Sequence, residues 1–583
     1  MVSSTSLPRL GVKSDFLADL RHRLTYKLQE AQFDLLGLVI KEALSLKRQV
    51  SKDDLIRLLK VFQWAAKTKH HKEQLQQAID LWRSDHPSLQ LVLKLFNEVH
   101  PNYREKFIVN LAINATWRGE LKRREFKRTE GMRPPFLAVI SPTNRCNLKC
   151  TGCYSGLFPR NIPDPMSFEE WDHIIRDCKD MGIHFFTISG GEPFVRRDLL
   201  DMFERHNDCI FQVYTNSTKI TDKHIERFTQ LGNVAPAISV EGFEEHTDAR
   251  RGKGVWAKIM DTMDRLKAAG CVFGFSATAT RLNADVLASW EFVDLFIEKG
   301  CLFGWLFLMT PTGKDDDPRF MPTPRQRDRL RAHVMEIRRT RPIFVADFWN
   351  DGCLTDGCLA GGNIYFHVNF KGDVEPCVFI HFADNNIFQW HAQGGHLKDI
   401  VLRSPFFRAL RERNRRDPNR LRPCPIIDHN EYLEEAVRLT NAYPTHAGAE
   451  SIITTHKEAI RRWGEEYGRY AEIAWNSGEY DFFKNCSHLW MADEEDWNKA
   501  ALLHQGGCQS FSTIHHTSGG CGSPGNGNGH HASNDGRSGL TTLLPLASIL
   551  EGTEPPEGNG CGCSNNGRDN GRGNFIPLEM LRL

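Results

Sequence analysis

Residues 141–154 read Ser141-Pro142-Thr143-Asn144-Arg145-Cys146-Asn147-Leu148-Lys149-Cys150-Thr151-Gly152-Cys153-Tyr154, with the cysteines at the spacing C-x3-C-x2-C. They follow directly on an apolar run at 136–141 that has strand character. Thiols three and four residues apart can converge on one metal centre. Structural zinc closes with four ligands, and no fourth Cys or His stands nearby. A [4Fe–4S] cluster normally takes four thiolates, so three would leave one iron open to a substrate or cofactor. A zinc knuckle or a group of redox thiols is the alternative.

Outward from this stretch, apolar runs at 136–141, 184–189, 210–215, 235–240, 272–279 and 303–309 alternate with helical patterns. Ser167 with Glu170 has the form of a capping box, and Thr221, Asn283 and Thr323 are candidate N-caps. Gly232 and Gly300 stand where helices would stop. Six β-α units in series predict a parallel sheet wound in one direction, most simply a partial barrel. Its chemistry belongs on the loops after the strands, where the cysteines lie.

The rest of the chain divides by texture. Residues 1–130 carry helical periodicity at 16–47, 53–67 and 89–124, and no chemical motif. Five basic residues and one acid at 121–128 read as a solvated helix face, with docking to an anionic partner or membrane surface as the alternative. Residues 364–374 alternate apolar and polar and turn at Lys371-Gly372-Asp373, a hairpin pattern. Residues 441–505 return to helical texture. Residues 506–583 hold 17 of the 46 glycines among Asn, Ser, His and Pro, a composition that predicts disorder. That tail carries Cys508, Cys521, Cys561 and Cys563.

The chain has 583 residues with 74 Lys and Arg against 73 Asp and Glu, a balance that gives no electrostatic footprint for nucleic acid. Sixteen cysteines could suggest a disulfide framework, but that usage belongs to short secreted chains. The first residues show no signal-peptide pattern, and no apolar stretch is long enough to span a membrane. The expectation is a cytoplasmic protein with reduced thiols.

With these motifs in place, the sequence resembles the radical S-adenosylmethionine (SAM) superfamily, whose signature is C-x3-C-x2-C after the first strand of a partial (β/α)6 barrel. The resemblance implies an α/β fold: a partial TIM-like barrel over 134–340, preceded by the helical domain 1–130 and followed by a C-terminal auxiliary-cluster module over 341–440. Cys146, Cys150 and Cys153 match the ligands of a SAM-binding [4Fe–4S] cluster. Gly152 stands where relatives usually carry an aromatic residue, and Tyr154 follows the third cysteine instead. Gly190-Gly191-Glu192-Pro193 after the second strand matches the motif for the methionine amino group. By the same resemblance, Thr215, Asn216, Ser239, Glu241 and Ser276 are candidate cofactor contacts, with Glu241 where relatives often carry Asp. Arg281 is the candidate partner of the methionine carboxylate.

Four further cysteines, Cys353-x4-Cys358-x18-Cys377-x46-Cys424, resemble a SPASM/twitch auxiliary domain that would hold a second [4Fe–4S] cluster; four-Cys zinc is the alternative. Tyr154, Asp347 and Asp351 are candidate catalytic residues by position. The implied reaction is reductive cleavage of SAM and hydrogen abstraction from an unactivated C–H bond, with a flavodoxin- or ferredoxin-type electron donor. A lipid or other small metabolite is the expected substrate, because residues 1–130 lack the strands of a leader-binding winged helix. Maturation of a ribosomal peptide is the alternative, and a non-catalytic iron–sulfur or zinc scaffold the second.

Overall fold

In the computed structural model, which describes residues 26–28, 49–65, 69–158, 163–414, 416–481 and 484, the six expected strands form one side-by-side series. They are β1 (Leu137–Ile140), β2 (Phe185–Ile188), β3 (Ile210–Thr215), β4 (Val234–Val240), β5 (Gly274–Ala279) and β6 (Phe303–Leu308). Each pairs in parallel with the next, for example Ala138 with Phe186 and Ser239 with Ser276. Helices between them bury one face; Trp171, Ile174, Ile175 and Cys178 of helix Phe168–Asp180 are buried, as their spacing requires. Ser167 caps that helix by accepting the Glu170 N–H, and Thr323 with Gln326 caps Pro324–Thr340 reciprocally. The disordered-tail expectation, its four cysteines, and most of the helical stretch 16–47 lie outside the described residues.

The sheet extends beyond six strands. β7 (Phe344–Asp347) pairs in parallel with β6, and β8 (Tyr365–Val368) pairs in parallel with β1. The expected hairpin is therefore the far edge of the barrel sheet, with β8 returning antiparallel into β9 (Val374–Glu375). The order β7-β6-β5-β4-β3-β2-β1-β8-β9 has two free edges, so the barrel is partial. Buried polar contacts fix the seam: Ser141 Oγ lies 2.7 Å from His367 Nε2, and His367 Nδ1 lies 2.6 Å from Glu375 Oε2.

The described N-terminal residues are helical and pack under the barrel, against the loops that lead into β2–β5. Asn110 donates to Cys209 O (3.0 Å), Asn114 to Asp208 O (3.0 Å), Arg123 to Gly182 O (2.8 Å) and Asn102 to Thr229 O (2.7 Å), while Tyr103 OH donates to Val234 O. These bonds use carbonyls left over at the strand entrances. They also revise the reading of the basic run at 121–128. Arg123 is buried, Lys122 donates to Lys179 O, and Arg124 and Arg128 pair with Glu120 and Glu125 on their own helix. Those cations are committed within the chain, which weakens the case for an anionic surface.

Candidate active site

A cavity of about 460 Å³ runs through the barrel. One end is rimmed by Cys146, Cys150 and Cys153, and the other is closed by Leu91, Val92, Leu95, Phe107 and Leu111 of the N-terminal helices. Between them, Phe185, Ile210, Trp305, Phe307 and Phe348 make the wall largely apolar. Thr187, Gln212, Asp351 and Thr355 add polar groups along the wall, but such groups concentrate at the cysteine end.

There, residues 189–192 are clamped to the cysteine loop by backbone bonds: Gly191 N–H to Thr143 O (3.0 Å) and Glu192 N–H to Arg145 O (2.9 Å). The approach leaves no room for a side chain. A Cβ on Gly191 would lie 2.2 Å from Arg145 O, and one on Gly190, which has φ +111°, would lie 2.2 Å from Thr143 O. The buried Glu192 carboxylate accepts from Thr215 Oγ1 (2.8 Å), Asn216 N–H (2.7 Å) and Phe194 N–H (3.1 Å). Burial outweighs those bonds and pushes its carboxyl up to about 7. Thr215, Asn216, Ser239 and Ser276 line the same end. Tyr154 stands in the wall, its hydroxyl 2.6 Å from Ser189 Oγ and its ring edge-on to Phe379; burial pushes it up to about 12.

Other expected residues are placed differently. Glu241 is buried behind the wall, paired with Arg250 (2.6 Å) and with Arg251 Nε (2.9 Å), and those two arginines line the cavity instead. Arg281 is not in the wall: its Nε reaches Met321 O at 3.4 Å and its N–H donates to Phe320 O, so the turn after β5 uses it locally. The signal overlooked in the sequence was Arg250-Arg251 before Gly252, on the helix Glu244–Arg251 that follows β4. Asp347 also lies outside the wall. It caps the turn after β7 by accepting from Asn350 Nδ2 (2.7 Å), and burial, then the charge of Asp351, push it up to about 6. Asp351 does line the cavity, but both its oxygens are held by Arg338 at 2.8 and 2.7 Å.

A second, smaller space is lined by Cys358, Cys377 and Cys424, with Trp349, Thr355 and Ile380. Each sulfur accepts the N–H two residues on: Ala360 to Cys358 (3.5 Å), Phe379 to Cys377 (3.5 Å) and Ile426 to Cys424 (3.3 Å). Tyr365 OH adds a 2.8 Å contact to Cys377. Burial pushes Cys377 up to about 11 and Cys424 to about 12, so these thiols keep their protons unless a cation takes their place. The expected fourth ligand, Cys353, is not in this wall. Its thiol is buried near Asn350 O (4.0 Å), beside Arg338 and Asp351.

Residues 140–280 match the Radical SAM superfamily. The chain carries a radical SAM domain. It runs from the last residue of β1 through β5 and includes all three cysteines of the cavity rim, and the protein is an enzyme of that superfamily, whose cofactors are a [4Fe–4S] cluster and SAM. Relatives agree in extent. Mycofactocin maturase MftC of Mycolicibacterium smegmatis is 29% identical over 306 residues, 49% of this chain and 75% of that one. An AdoMet-dependent heme synthase of Methanosarcina barkeri is 23% identical over 325 residues, 51% and 89% of the two chains. Among solved structures, SuiB of Streptococcus suis bound to SAM has a TM-score of 0.40 at 19% identity, covering 51% and 72%.

The residues fit the radical SAM cofactors. Three thiols without a fourth suit a cluster with one open iron, and the glycine pair leaves backbone exposed beside it. The second space fits a sulfur-bearing cluster as well: Trp349 Nε1, in its wall, is buried with no acceptor among the described residues. No described helix is long and apolar enough to cross a membrane.

Proposed function

We propose that Cys146, Cys150 and Cys153 ligate the SAM-binding cluster, and that the enzyme removes a hydrogen atom from an apolar side chain of a peptide. When bound and reduced, the cluster with SAM supplies the 5′-deoxyadenosyl radical for that step. Glu192 receives the methionine ammonium, while Arg250 and Arg251, steered by Glu241, face the carboxylate. Thr215, Asn216, Ser239 and Ser276 supply polar contacts at that end, and the apolar wall beyond excludes water. The observation that carries the reading is a three-thiol rim opening into a largely apolar bore. The names of two relatives, mycofactocin maturase and sporulation killing factor maturation protein, support a peptide over the lipid or small metabolite expected from the helical N-terminus. One observation favours a second reading, a free hydrocarbon-rich molecule: the end of the bore away from the cysteines is lined by Leu91, Val92, Leu95, Phe107 and Leu111.

Anaerobic turnover separates these readings. The cluster-loaded protein, SAM and dithionite are combined with peptides encoded beside its gene, carrying perdeuterated Val, Leu and Ile. Deuterium in 5′-deoxyadenosine, together with a peptide mass change, supports the peptide reading. Deuterium acquired only from perdeuterated lipid or porphyrin side chains sinks it. Zinc in place of iron, without 5′-deoxyadenosine, would remove both.

Two further outcomes are expected. Because Glu192 titrates near 7 and binds an ammonium only as the carboxylate, SAM affinity rises about ten-fold between pH 6 and pH 8. Equilibrium binding across that range reads it, and Glu192→Gln flattens the profile. For the auxiliary site, Cys424→Ala lowers iron from about eight to about four per chain, whereas Cys353→Ala leaves it unchanged. Equal loss in both would restore Cys353 as a ligand.

A further inference from the structure

Outside the bore, a groove of about 630 Å³ lies between helix Leu199–Arg205, with the turn before it, and helix Asp222–Leu231. Phe194 and Leu199, both buried, form its apolar base. Arg197, Lys219 and Lys223 stand exposed around it, and Asp201 is the one acid among the described lining residues. Among the described residues none of these three cations has an ion-pair partner, whereas Arg196 and Arg227, also in the lining, are held by Asp198 and Glu204. The groove adjoins the cysteine loop. Asn147, next to Cys146, donates to Thr218 Oγ1 (2.8 Å) and accepts from Asn216 Nδ2 (3.1 Å), and Lys219 follows Thr218. The segment that borders the bore at 189–192 borders the groove at 194–201, and Phe194 N–H donates back to Glu192 Oε1 (3.1 Å).

We propose that this groove docks an acidic one-electron carrier protein, a flavodoxin or ferredoxin, that reduces the cluster on Cys146, Cys150 and Cys153. The inference rests on the cluster being held by those cysteines and not on the identity of the substrate. One electron leaves the carrier, its flavin hydroquinone becoming a semiquinone or its iron–sulfur centre being oxidised, and reduces the cluster by one equivalent. No bond forms or breaks in that step.

Folding does not ask for these cations. Lys223 stands in the first turn of helix Asp222–Leu231, where the helix end favours an anion. With no carboxylate committed to them, Arg197, Lys219 and Lys223 present a positive field to solvent, in a chain whose net charge is only +1. Such a field steers an acidic protein to the surface more than it tightens the complex. Electron-transfer encounters are weak and bury less than about 1,200 Å², so an open groove with an apolar base and a cationic rim is enough. The other end of the cysteine loop carries the opposite sign. There Gly152 N–H donates to Asp315 Oδ2 (3.3 Å), and Asp316 and Asp317 follow. An acidic carrier meets its own sign at that end and is drawn toward Lys219. From Lys219 the path to the cluster ligand is short: one peptide link to Thr218, one hydrogen bond to Asn147 and one peptide link to Cys146. No residue of the groove lines the bore, so a docked carrier and a bound substrate use different walls.

The test uses the full-length, cluster-loaded protein under anaerobic conditions, with SAM and without substrate. Formation of 5′-deoxyadenosine is driven in turn by dithionite, by reduced flavodoxin and by reduced ferredoxin. In the triple variant Arg197→Glu, Lys219→Glu, Lys223→Glu the KM for the carrier should rise at least about ten-fold, while dithionite-driven turnover stays at the wild-type rate. Titration calorimetry with the oxidised carrier reads the contact without turnover. Wild-type binding should weaken as salt is raised, and the variant should bind at least about ten-fold more weakly at low salt. A wild type reduced by neither carrier, or a variant with the wild-type KM and Kd for it, would overturn the proposal. So would an equal loss with dithionite, which would assign the three cations to the SAM site or to the fold. A wild type that cleaves no SAM even with dithionite would remove the cluster assignment, and the docking proposal with it.

Discussion

Replacing Cys146, Cys150 and Cys153 together by alanine abolishes 5′-deoxyadenosine formation while about half of the iron remains. The loss is complete rather than graded because the rim offers no substitute ligand: the other polar side chains there are Glu192, hydroxyls, an amide and two arginines committed to Glu241. The remaining iron belongs to the second space, whose Cys358, Cys377 and Cys424 sit on separate segments and do not depend on the first loop. Iron analysis with product quantification by chromatography tests both halves. Loss of all iron would mean that the two sites assemble as one unit, and unchanged product would remove the cysteines from the chemistry.

Gly191→Ala comes second in size. The added methyl would press on Arg145 O at 2.2 Å and Asn144 O at 2.6 Å, both backbone atoms next to Cys146, so the cysteine loop or the Glu192 strand end must move. Displacement of reacting groups by about 1 Å can cost roughly 100-fold, and a fall of that order in SAM cleavage is expected. Barrel packing does not depend on this residue, so circular dichroism should stay near wild type and the defect should appear in SAM affinity and turnover. A variant with normal turnover would show that the loop yields freely and would remove the close approach from the mechanism.

The two arginines illustrate what a sequence conceals. Glu241 follows β4 at a position open to the cofactor, yet its side chain turns back to Arg250 and Arg251, one helix later, and they take the wall instead. Nothing in the spacing says which way a carboxylate will turn when two guanidiniums lie within reach. Arg281 lies outside the wall for a similar reason: its Nε reaches the carbonyl of Met321, some forty residues away. Asp347 and Asp351 were legible as a carboxylate pair near the clusters, but their partners were not: Arg338 holds both oxygens of Asp351, and Asp347 accepts from Asn350 in the turn after β7.

By itself the sequence determined what is local. Strands β1–β6, the capping of their helices and the three-cysteine loop depend on neighbours within a few turns, where periodicity, N-cap chemistry and ligand spacing act directly. Tertiary structure alone decided what depends on distant segments. It placed β8 beside β1 across more than two hundred residues, set the N-terminal helices under the barrel at the far end of the bore, and brought Cys358, Cys377 and Cys424 from separate segments into the wall of one small space. Those outcomes follow from which buried hydrogen bonds and apolar faces find partners once the chain is closed, and that competition is not written in any one stretch of it.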